Sequence, residues 1–177
     1  MNPGIHLQLS EPSPWITRFA PLVPAGGRVL DVACGSGRHA RYFAARGYPV
    51  DAVDRDAAAF GEPAADVAFV CADLEAPGSV WPYAGKRFAA VIVTNYLYRP
   101  LLPQLIESVA PGGLLLYETF ALGNERFGKP SNPDFLLTPG ELLEVVQGRL
   151  RVIAYEDIEI DSPKPAMVQR IAAIRPG

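Results

Sequence analysis

A glycine-rich turn and an acidic residue carry the strongest chemical signal in the sequence. An apolar run that begins at Val29 ends in the turn Cys34-Gly35-Ser36-Gly37, and Asp54 ends a second apolar run 19 residues after Gly35. Glycines lack a Cβ, so the backbone can turn sharply and a ligand can lie against it. In open parallel sheets, ligands bind at the carboxyl ends of the strands. The two features therefore predict a cleft in which the Asp54 carboxylate accepts hydrogen bonds from the hydroxyls of a ribose.

The ligands to be weighed at this turn are a dinucleotide, a phosphate and S-adenosylmethionine. Residues 35–40 fit the pattern GxGxx(G/A) of dinucleotide-binding proteins, whereas the phosphate-binding pattern GxxxxGK(S/T) is absent. Asp31 argues against a dinucleotide, because a carboxylate four residues before the first glycine would repel a pyrophosphate. The same carboxylate suits a cationic ligand, such as the amino group of a methionine moiety. The chain is also too short for a substrate domain beyond one sheet, so S-adenosylmethionine is favoured over NAD.

The patterns around the turn predict an α/β fold with a doubly wound mixed sheet. Short apolar runs alternate with segments of helical spacing, which is typical of βαβ units with parallel strands and right-handed crossovers. The last two apolar runs are separated only by a proline-rich turn, which predicts an antiparallel hairpin that is foreign to the dinucleotide fold. We expect strands at 28–33, 48–53, 66–71, 87–94, 114–119, 150–160 and 166–174, and helices from Pro14, at 38–46, at 100–110 and from Thr138 to Gln147. Ser13 is expected to cap the first helix, Thr138 to start the last one in a capping box with Glu141, and residues 111–113 to form a turn.

The overall composition favours an ordinary globular protein. The chain has 177 residues, of which 49% are hydrophobic and 20% charged, and its net charge of −3 makes nucleic acid an unfavoured partner. No apolar run approaches the roughly 20 residues of a membrane span, so no membrane partner and a cytoplasmic location are expected. Cys34 and Cys71 are the only cysteines and form no CxxC pair. We therefore expect no metal site, and the sequence leaves the oligomeric state open.

Four segments of the chain resemble the class I S-adenosylmethionine-dependent methyltransferases. They are VLDVACGSGRH from Val29, VDAVDRD from Val50, CADLEA from Cys71 and APGGLLLYETF from Ala110. The chain looks most similar to the small bacterial branch that includes the tellurite-resistance methyltransferases. The resemblance implies a seven-stranded, Rossmann-like sheet of order 3-2-1-4-5-7-6 with an antiparallel last strand. The sequence of residues 1–12 predicts a flexible arm, and residues 13–177, nearly all of which the resemblance covers, are expected to form a single domain.

The same resemblance implies which residues hold S-adenosylmethionine. Several would surround the methionine part, Asp54 would hold the ribose, and Arg55 would pack beside the adenine. Asp73 would accept from the adenine amino group, and the Leu74 backbone N–H would donate to the ring. Cys34 lies in the tight turn, so we expect it to pack closely against the cofactor rather than act as a nucleophile. The residues expected around the methionine part are Asp31, Ala33, Gly35, Gly37 and Asn95.

The resemblance also implies methyl transfer by in-line displacement, and a small-molecule acceptor is expected. The family's Asn/Asp-Pro-Pro-Tyr signature is replaced by Thr94-Asn95-Tyr96-Leu97-Tyr98, which argues against methylation of DNA or of protein amides. Glu118 is a candidate general base at the end of the fifth strand, and His39 is a second one. Tyr96 and Tyr98, with Tyr117 and Trp15, could give a sulfonium a cation–π contact.

Several alternatives stay open at this stage. Glu118 could instead make structural hydrogen bonds, Tyr96 and Tyr98 could pack in the core, and Trp15 fits a plug for the first helix. Residues 121–137 are long for a connection and predict a lid whose Arg126 and Lys129 would receive an anionic acceptor, although a solvated loop is the alternative. Arg99 could face the crevice or cap a turn. Two other functions remain: a catalytically silent cofactor-binding module or partner subunit, and an NAD oxidoreductase.

Overall fold

A computed structural model describes residues 11–177. The strands are β1 (Val29–Val32), β2 (Val50–Asp54), β3 (Val67–Cys71), β4 (Phe88–Thr94), β5 (Val109–Phe120), β6 (Arg151–Ile160) and β7 (Ala166–Ile174). The α-helices are α1 (Pro14–Phe19), α2 (Arg38–Ala44), α3 (Ala57–Phe60), α4 (Leu102–Glu107) and α5 (Glu141–Val146). Short 3-10 turns lie at Ala20–Leu22, Arg99–Leu101, Asn124–Arg126 and Pro133–Phe135.

The seven strands form one mixed sheet of order β3-β2-β1-β4-β5-β7-β6. Strands β1 to β5 run parallel to one another, whereas β7 runs antiparallel to both β5 and β6. The predicted fold class, strand order and terminal hairpin are therefore confirmed. Because the first four strands point the same way, their carboxyl ends meet at one edge of the sheet, where the predicted site residues lie.

The central strands β1, β2 and β4 and most of β5 are buried on both faces of the sheet, as expected for strands covered by helices, whereas the edge strands β3 and β6 are partly exposed. In β4, Ala90 and Ile92 belong to a core cluster that also contains residues of α1 and α2. Val91 and Val93 point to the opposite face and join a cluster with α4 and α5. This alternation follows from the two-residue period of a strand. It fixes the register of the sheet and hence the positions of the strand ends.

The sequence predicts the start of helix α1 correctly and the start of helix α5 only in part. Ser13 caps α1 as expected, because its side chain accepts a hydrogen bond from the N–H of Trp15 at 3.1 Å. The expected cap at Thr138 is only half formed: the Glu141 carboxylate reaches back to the Thr138 N–H at 2.8 Å. The helix itself begins later, after Gly140, which takes a left-handed conformation with φ of 78°.

The predicted helix over 100–110 was too long at its carboxyl end. Helix α4 ends at Glu107, and Val109 already pairs with Phe88 as part of β5. Gly113, four residues after Val109, must be glycine because the β5 backbone lies close to that of β4: a Cβ on Gly113 would lie 2.8 Å from the carbonyl oxygen of Phe88. A register shift in the β4–β5 pairing absorbs the Pro-Gly-Gly segment, so the expected turn lies inside a strand.

The amino-terminal arm falls largely outside the described residues. Glu11 and Pro12 form no helix or strand, and the Glu11 carbonyl accepts a hydrogen bond from Arg38 at 3.1 Å. The boundary between arm and domain thus stays a prediction. Within residues 11–177, no helix combines the length and apolar character that a membrane crossing requires.

Candidate active site

The carboxyl ends of four parallel strands surround a cleft of about 350 Å³. Residues at the ends of β1, β2, β3 and β4, or just after them, line this strand-end cleft. The structure therefore brings together residues from four separate stretches of sequence. Six of the residues assigned to the cofactor line it: Ala33, Asp54, Arg55, Asp73, Leu74 and Asn95.

Backbone strain marks the middle of this edge. Ala33 and Asn95 each follow a strand directly and have positive φ angles of 51° and 54°. Such a conformation costs a residue with a side chain about 1–3 kcal/mol and is concentrated at ligand sites. Both residues line the strand-end cleft. The strain therefore supports a functional role for the junction of β1 and β4.

The glycine-rich turn leaves room beside the cleft. Gly35 and Gly37 have φ angles of 53° and 73°, so both positions favour glycine. A Cβ on Gly37 would lie 2.6 Å from Cε2 of Phe60, which excludes any side chain there. Around the corresponding Cβ position of Gly35, the described residues place no atom within 4 Å. A ligand can therefore approach the backbone at Gly35, as the sequence predicts.

Asp54 joins the turn to the cleft. One carboxylate oxygen accepts a hydrogen bond from the Gly35 N–H at 2.8 Å, and the other accepts from the Asp56 N–H at 2.9 Å. These bonds fix the orientation of the carboxylate at the cleft wall. Each oxygen retains a second lone pair, so two ribose hydroxyls could still donate to it.

The turn after β3 is held in a similar way. The Asp73 carboxylate accepts from the Glu75 N–H at 2.9 Å, and the Asp73 carbonyl accepts from the Ser79 hydroxyl at 2.9 Å. Leu74, in the same turn, and Arg55, which follows β2, also line the cleft. This geometry fits an adenine-binding role, and the individual roles of these three residues stay predictions.

Asp31 is placed deeper than its predicted role requires. Its carboxylate is 1% exposed and accepts a hydrogen bond from the Ala40 N–H of α2 at 2.9 Å. Burial raises the pKa of Asp31 to about 7, while the Ala40 N–H and Arg38 act in the opposite direction and Asp54 adds to the rise. It does not line the strand-end cleft. Its contact with α2 indicates that it holds the helix against the glycine-rich turn.

Cys34 is buried within the turn. Burial raises the pKa of its thiol, and the nearby Asp31 and Asp54 carboxylates raise it further. Because the thiolate is the nucleophilic form of cysteine, this thiol is not activated. The expectation that Cys34 is not a nucleophile agrees with this environment, and its packing against the cofactor stays a prediction.

His39 belongs to a buried contact rather than to a proton-transfer site. It is 1% exposed, and its Nε2 accepts a hydrogen bond from the Ser13 N–H at 3.0 Å. Burial lowers the pKa of His39 to about 3, and Arg38 lowers it further. The imidazole is therefore neutral at ordinary pH, and its acceptor nitrogen is already used. Its role is to hold the start of α1 against α2.

The His39 contact makes a pH-dependent contribution to stability. The pKa of His39 is about 6.5 in the unfolded chain and about 3 in the folded protein. Its stabilising contribution is therefore present above about pH 6.5 and is lost as the pH falls. The difference in unfolding free energy between the wild type and His39→Gln should change by about 2–3 kcal/mol between about pH 7 and pH 4.5.

Denaturant unfolding at both pH values measures this change. Asp31 acts with the opposite sign, because its folded pKa of about 7 lies above its ordinary value of 3.8. Its stabilisation is complete at low pH and is lost as the pH rises through about 7. Taking the difference between two proteins that both contain Asp31 removes this effect. A constant difference across the range would contradict the assignment of His39 as a buried neutral side chain.

Both carboxylate oxygens of Glu118 are engaged. One accepts from the Ser13 hydroxyl at 2.7 Å, and the other pairs with Arg170 at 3.1 Å. Arg170 also pairs with Glu156 at 2.6 Å and lies 5.0 Å from the ring centre of Trp15. Glu118 thus links α1, β5 and β7. A proton-acceptor role would require one of these contacts to break, so its catalytic assignment stays a prediction.

The four aromatic candidates are not brought together. Tyr96 lines the strand-end cleft, whereas Tyr98 lines a separate surface cavity beside Trp81 and does not reach it. Tyr98 therefore does not line the same cleft as Tyr96, and the catalytic assignments of both tyrosines stay predictions. Tyr117 is buried and donates to the Tyr96 carbonyl at 2.7 Å. The buried Trp15 donates a hydrogen bond to the Ile171 carbonyl at 3.2 Å and so packs α1 against the sheet.

The segment 121–137 is anchored to the fold at several points, although most of its residues are exposed to solvent. Arg99 donates to the carbonyls of Asp134 and Leu136 at 2.8 and 3.0 Å and forms an ion pair with Glu141. Asn124 is 2% exposed and donates to a carbonyl of the same segment. Arg99 is thus a tether for the loop, a role that neither of the alternatives left open for it described. The lid function of this segment stays a prediction.

A second cleft of about 520 Å³ adjoins the first at Asn95. This hairpin-side cleft is lined by the residues before α1 and by the turn between β6 and β7. It contains Arg38, Lys164 and Arg170, none of which the sequence assigned to the site. No motif marks these residues, because the hairpin approaches the sheet edge only in the folded chain.

The comparisons with known proteins agree with this geometry. The family model described as "Methyltransferase domain" matches residues 5–144. A search of functionally curated proteins found no significant match. The solved structures that resemble this fold include the glycopeptide N-methyltransferase MtfA in complex with S-adenosyl-L-homocysteine, with a TM-score of 0.63 and 19% identity over 94% of this chain and 91% of that protein.

Two bacterial proteins extend the structural similarity. The N-methyltransferase NodS from Bradyrhizobium japonicum WM9 has a TM-score of 0.65 at 14% identity, over 91% of this chain and 94% of its own. TehB from Haemophilus influenzae has a TM-score of 0.68 at 16% identity, and the match covers 92% of this chain but 61% of TehB. At these identities the similarity concerns the fold.

The family match and the strand-end cleft together define the class of protein. The chain belongs to the methyltransferase-domain family and is an S-adenosylmethionine-dependent methyltransferase with the class I fold. The glycine turn, the open space at Gly35 and the Asp54 carboxylate fit an adenosyl ligand. These observations replace the dinucleotide alternative.

Proposed function

We propose that this methyltransferase acts on a small-molecule acceptor. The observation that carries the proposal is the meeting of clefts at Asn95. The strand-end cleft, the hairpin-side cleft and a third cleft of about 260 Å³ all include this residue in their walls. Clefts of this size suit small ligands. An acceptor bound in one of the two side clefts would meet the cofactor at the junction.

The chemistry places modest demands on the protein. S-adenosylmethionine supplies a methyl group on a positively charged sulfur, and the departing thioether is neutral. No acid is then required, and the main demand is that the reacting atoms lie about 3–3.5 Å apart and in line. In this proposal Asp54 and the glycine turn hold the nucleoside, and the rigid backbone at Asn95 sets the position of the transfer. Tyr96 lines the same wall and supplies an aromatic face.

A methyl-transfer assay against pools of small metabolites tests the proposal. The purified protein, incubated with radiolabelled S-adenosylmethionine, should label acceptors of low molecular mass. DNA and denatured protein should remain unlabelled in parallel reactions. Binding of S-adenosylhomocysteine without turnover on any pool would instead support the silent binding module. Labelling of DNA or protein in preference to the small-molecule pools would contradict the proposal.

A further inference from the structure

The third cleft lies between the end of β4 and the segment 121–137. This loop-side cleft shares Glu75, Asn95 and Tyr96 with the strand-end cleft. Its volume of about 260 Å³ corresponds to about nine water-sized volumes of about 30 Å³. A molecule of about nine non-hydrogen atoms could therefore fill it and touch the cofactor cleft at the shared wall.

One polar group in this wall lacks a well-formed hydrogen bond. The hydroxyl of Tyr96 is buried and has no hydrogen-bond partner of good geometry among residues 11–177, while burial and the nearby Glu75 carboxylate raise the pKa of this hydroxyl. Its backbone is held in place because the Tyr117 hydroxyl donates to the Tyr96 carbonyl. An unpaired buried hydroxyl is costly, and such groups are usually paired. A bound ligand with a polar end would supply the missing hydrogen bond.

The charge of the loop-side cleft is acidic. Glu75 is the one charged residue among those described in its lining. The cations that the sequence offered for an anionic acceptor lie elsewhere: Arg126 pairs with Glu159 at 3.3 Å, and neither Arg126 nor Lys129 lines the cleft. The prediction of an anion-receiving lid is therefore not supported by the placement of these cations.

Apart from Thr119, the remaining walls are apolar, and they are anchored to the fold. Pro130 and Phe135 come from the segment 121–137, and Leu97 and Phe120 come from the strand ends. Asn124 donates to the Pro130 carbonyl at 3.0 Å, and the Arg99 tether holds the residues on both sides of Phe135. Phe135 is nevertheless 48% exposed. A ligand in the cleft would cover this aromatic ring.

We propose that the acceptor is a small amine with an apolar body, bound in the loop-side cleft. This inference rests on the proposed function and names its substrate class. The apolar body lies against Phe135 and Pro130, and the nitrogen lies at the polar end beside Glu75 and Tyr96. One N–H proton of the ammonium group passes to the Glu75 carboxylate. The nitrogen lone pair then forms the C–N bond, and the C–S bond breaks with its electron pair on sulfur.

A matched pair of probes tests the charge preference. Phenethylamine and hydrocinnamate differ mainly in the charged end group and both suit the volume of the cleft. Their affinities are measured by ligand-observed NMR on protein saturated with S-adenosylhomocysteine. We expect phenethylamine to bind at least tenfold more tightly. Glu75→Gln should abolish this preference, and Phe135→Ala should weaken binding of the amine about tenfold.

Controls separate this inference from the proposed function. Glu144→Gln removes an exposed charge on α5, and Lys129→Gln removes one in the segment 121–137, so both should keep the wild-type preference. Calorimetry with S-adenosylhomocysteine is performed first on every variant. Failure of the wild type to bind it would overturn the proposed function as well. If the wild type binds S-adenosylhomocysteine, three outcomes would overturn the amine assignment alone. These are equal affinities for the two probes, tighter binding of hydrocinnamate, and no binding of either probe.

Discussion

Replacing Asp54 with alanine is expected to weaken S-adenosylhomocysteine binding by about 10- to 100-fold. The substitution removes the carboxylate that fixes the glycine turn through the Gly35 N–H at 2.8 Å, and it removes the acceptors for two ribose hydroxyls. Lost hydrogen bonds to a charged group cost about 1–3 kcal/mol, which corresponds to this range of affinity. Isothermal titration calorimetry measures the change directly.

Two further variants make the Asp54 experiment specific. Asp54→Asn keeps the size of the side chain and one acceptor oxygen, so it should lose less affinity than the alanine variant. Glu62→Ala removes an exposed acidic side chain near α3 and should bind like the wild type. Wild-type affinity in Asp54→Ala, with the melting temperature unchanged, would contradict the placement of the ribose at this residue.

Replacing Arg170 with methionine is expected to lower the free energy of unfolding by about 2–4 kcal/mol. Arg170 lies between Glu118 and Glu156, and the Arg170–Glu118 pair is largely buried, with 18% and 13% of the two side chains exposed. Removing the cation leaves these carboxylates without the partner that compensates their desolvation. The stacking of the guanidinium on Trp15 is lost as well. Urea unfolding gives the difference.

A double variant tests the reason for the Arg170 effect. If the uncompensated carboxylate is the cause, adding Glu118→Gln to Arg170→Met should restore about 1–2 kcal/mol. Arg126→Met is the matched control, because its pair with Glu159 is exposed and should contribute less than about 1 kcal/mol. A double variant less stable than the Arg170→Met single variant would contradict the ion-pair explanation.

The same Glu118→Gln variant tests the predicted catalytic role. Both oxygens of Glu118 are engaged by Ser13 and Arg170, so we expect a loss of stability with kcat retained within about tenfold. A general base typically contributes about 10²- to 10⁴-fold to the rate. A decrease of that size with an unchanged melting temperature would restore Glu118 as the base.

Much of the site could be predicted because its signals are local. The turn at Gly35 and Gly37 needs glycine for conformation and clearance, and Asp54 ends an apolar strand. Parallel strands then bring their carboxyl ends together, so a pattern within about 30 residues defines the cofactor edge of the fold. The helix predicted over 100–110 is too long at its carboxyl end, because Val109 pairs with Phe88 of β4, a contact distant in sequence that helical spacing does not reveal.

The sequence by itself determined most of the strands, the terminal hairpin and the position of Asp54, since these follow from periodicity and short turns, and the resemblance to the class I methyltransferases implied the sheet order. Only the tertiary structure decided the roles of His39 and Glu118, because their partner Ser13 is distant in sequence and the Ser13–Glu118 contact spans 105 residues. It also decided that Glu75 is the charge in the loop-side cleft and that Arg126 is not. Side chains distant in sequence meet according to how helices and loops pack on the sheet, and that packing is a property of the whole fold.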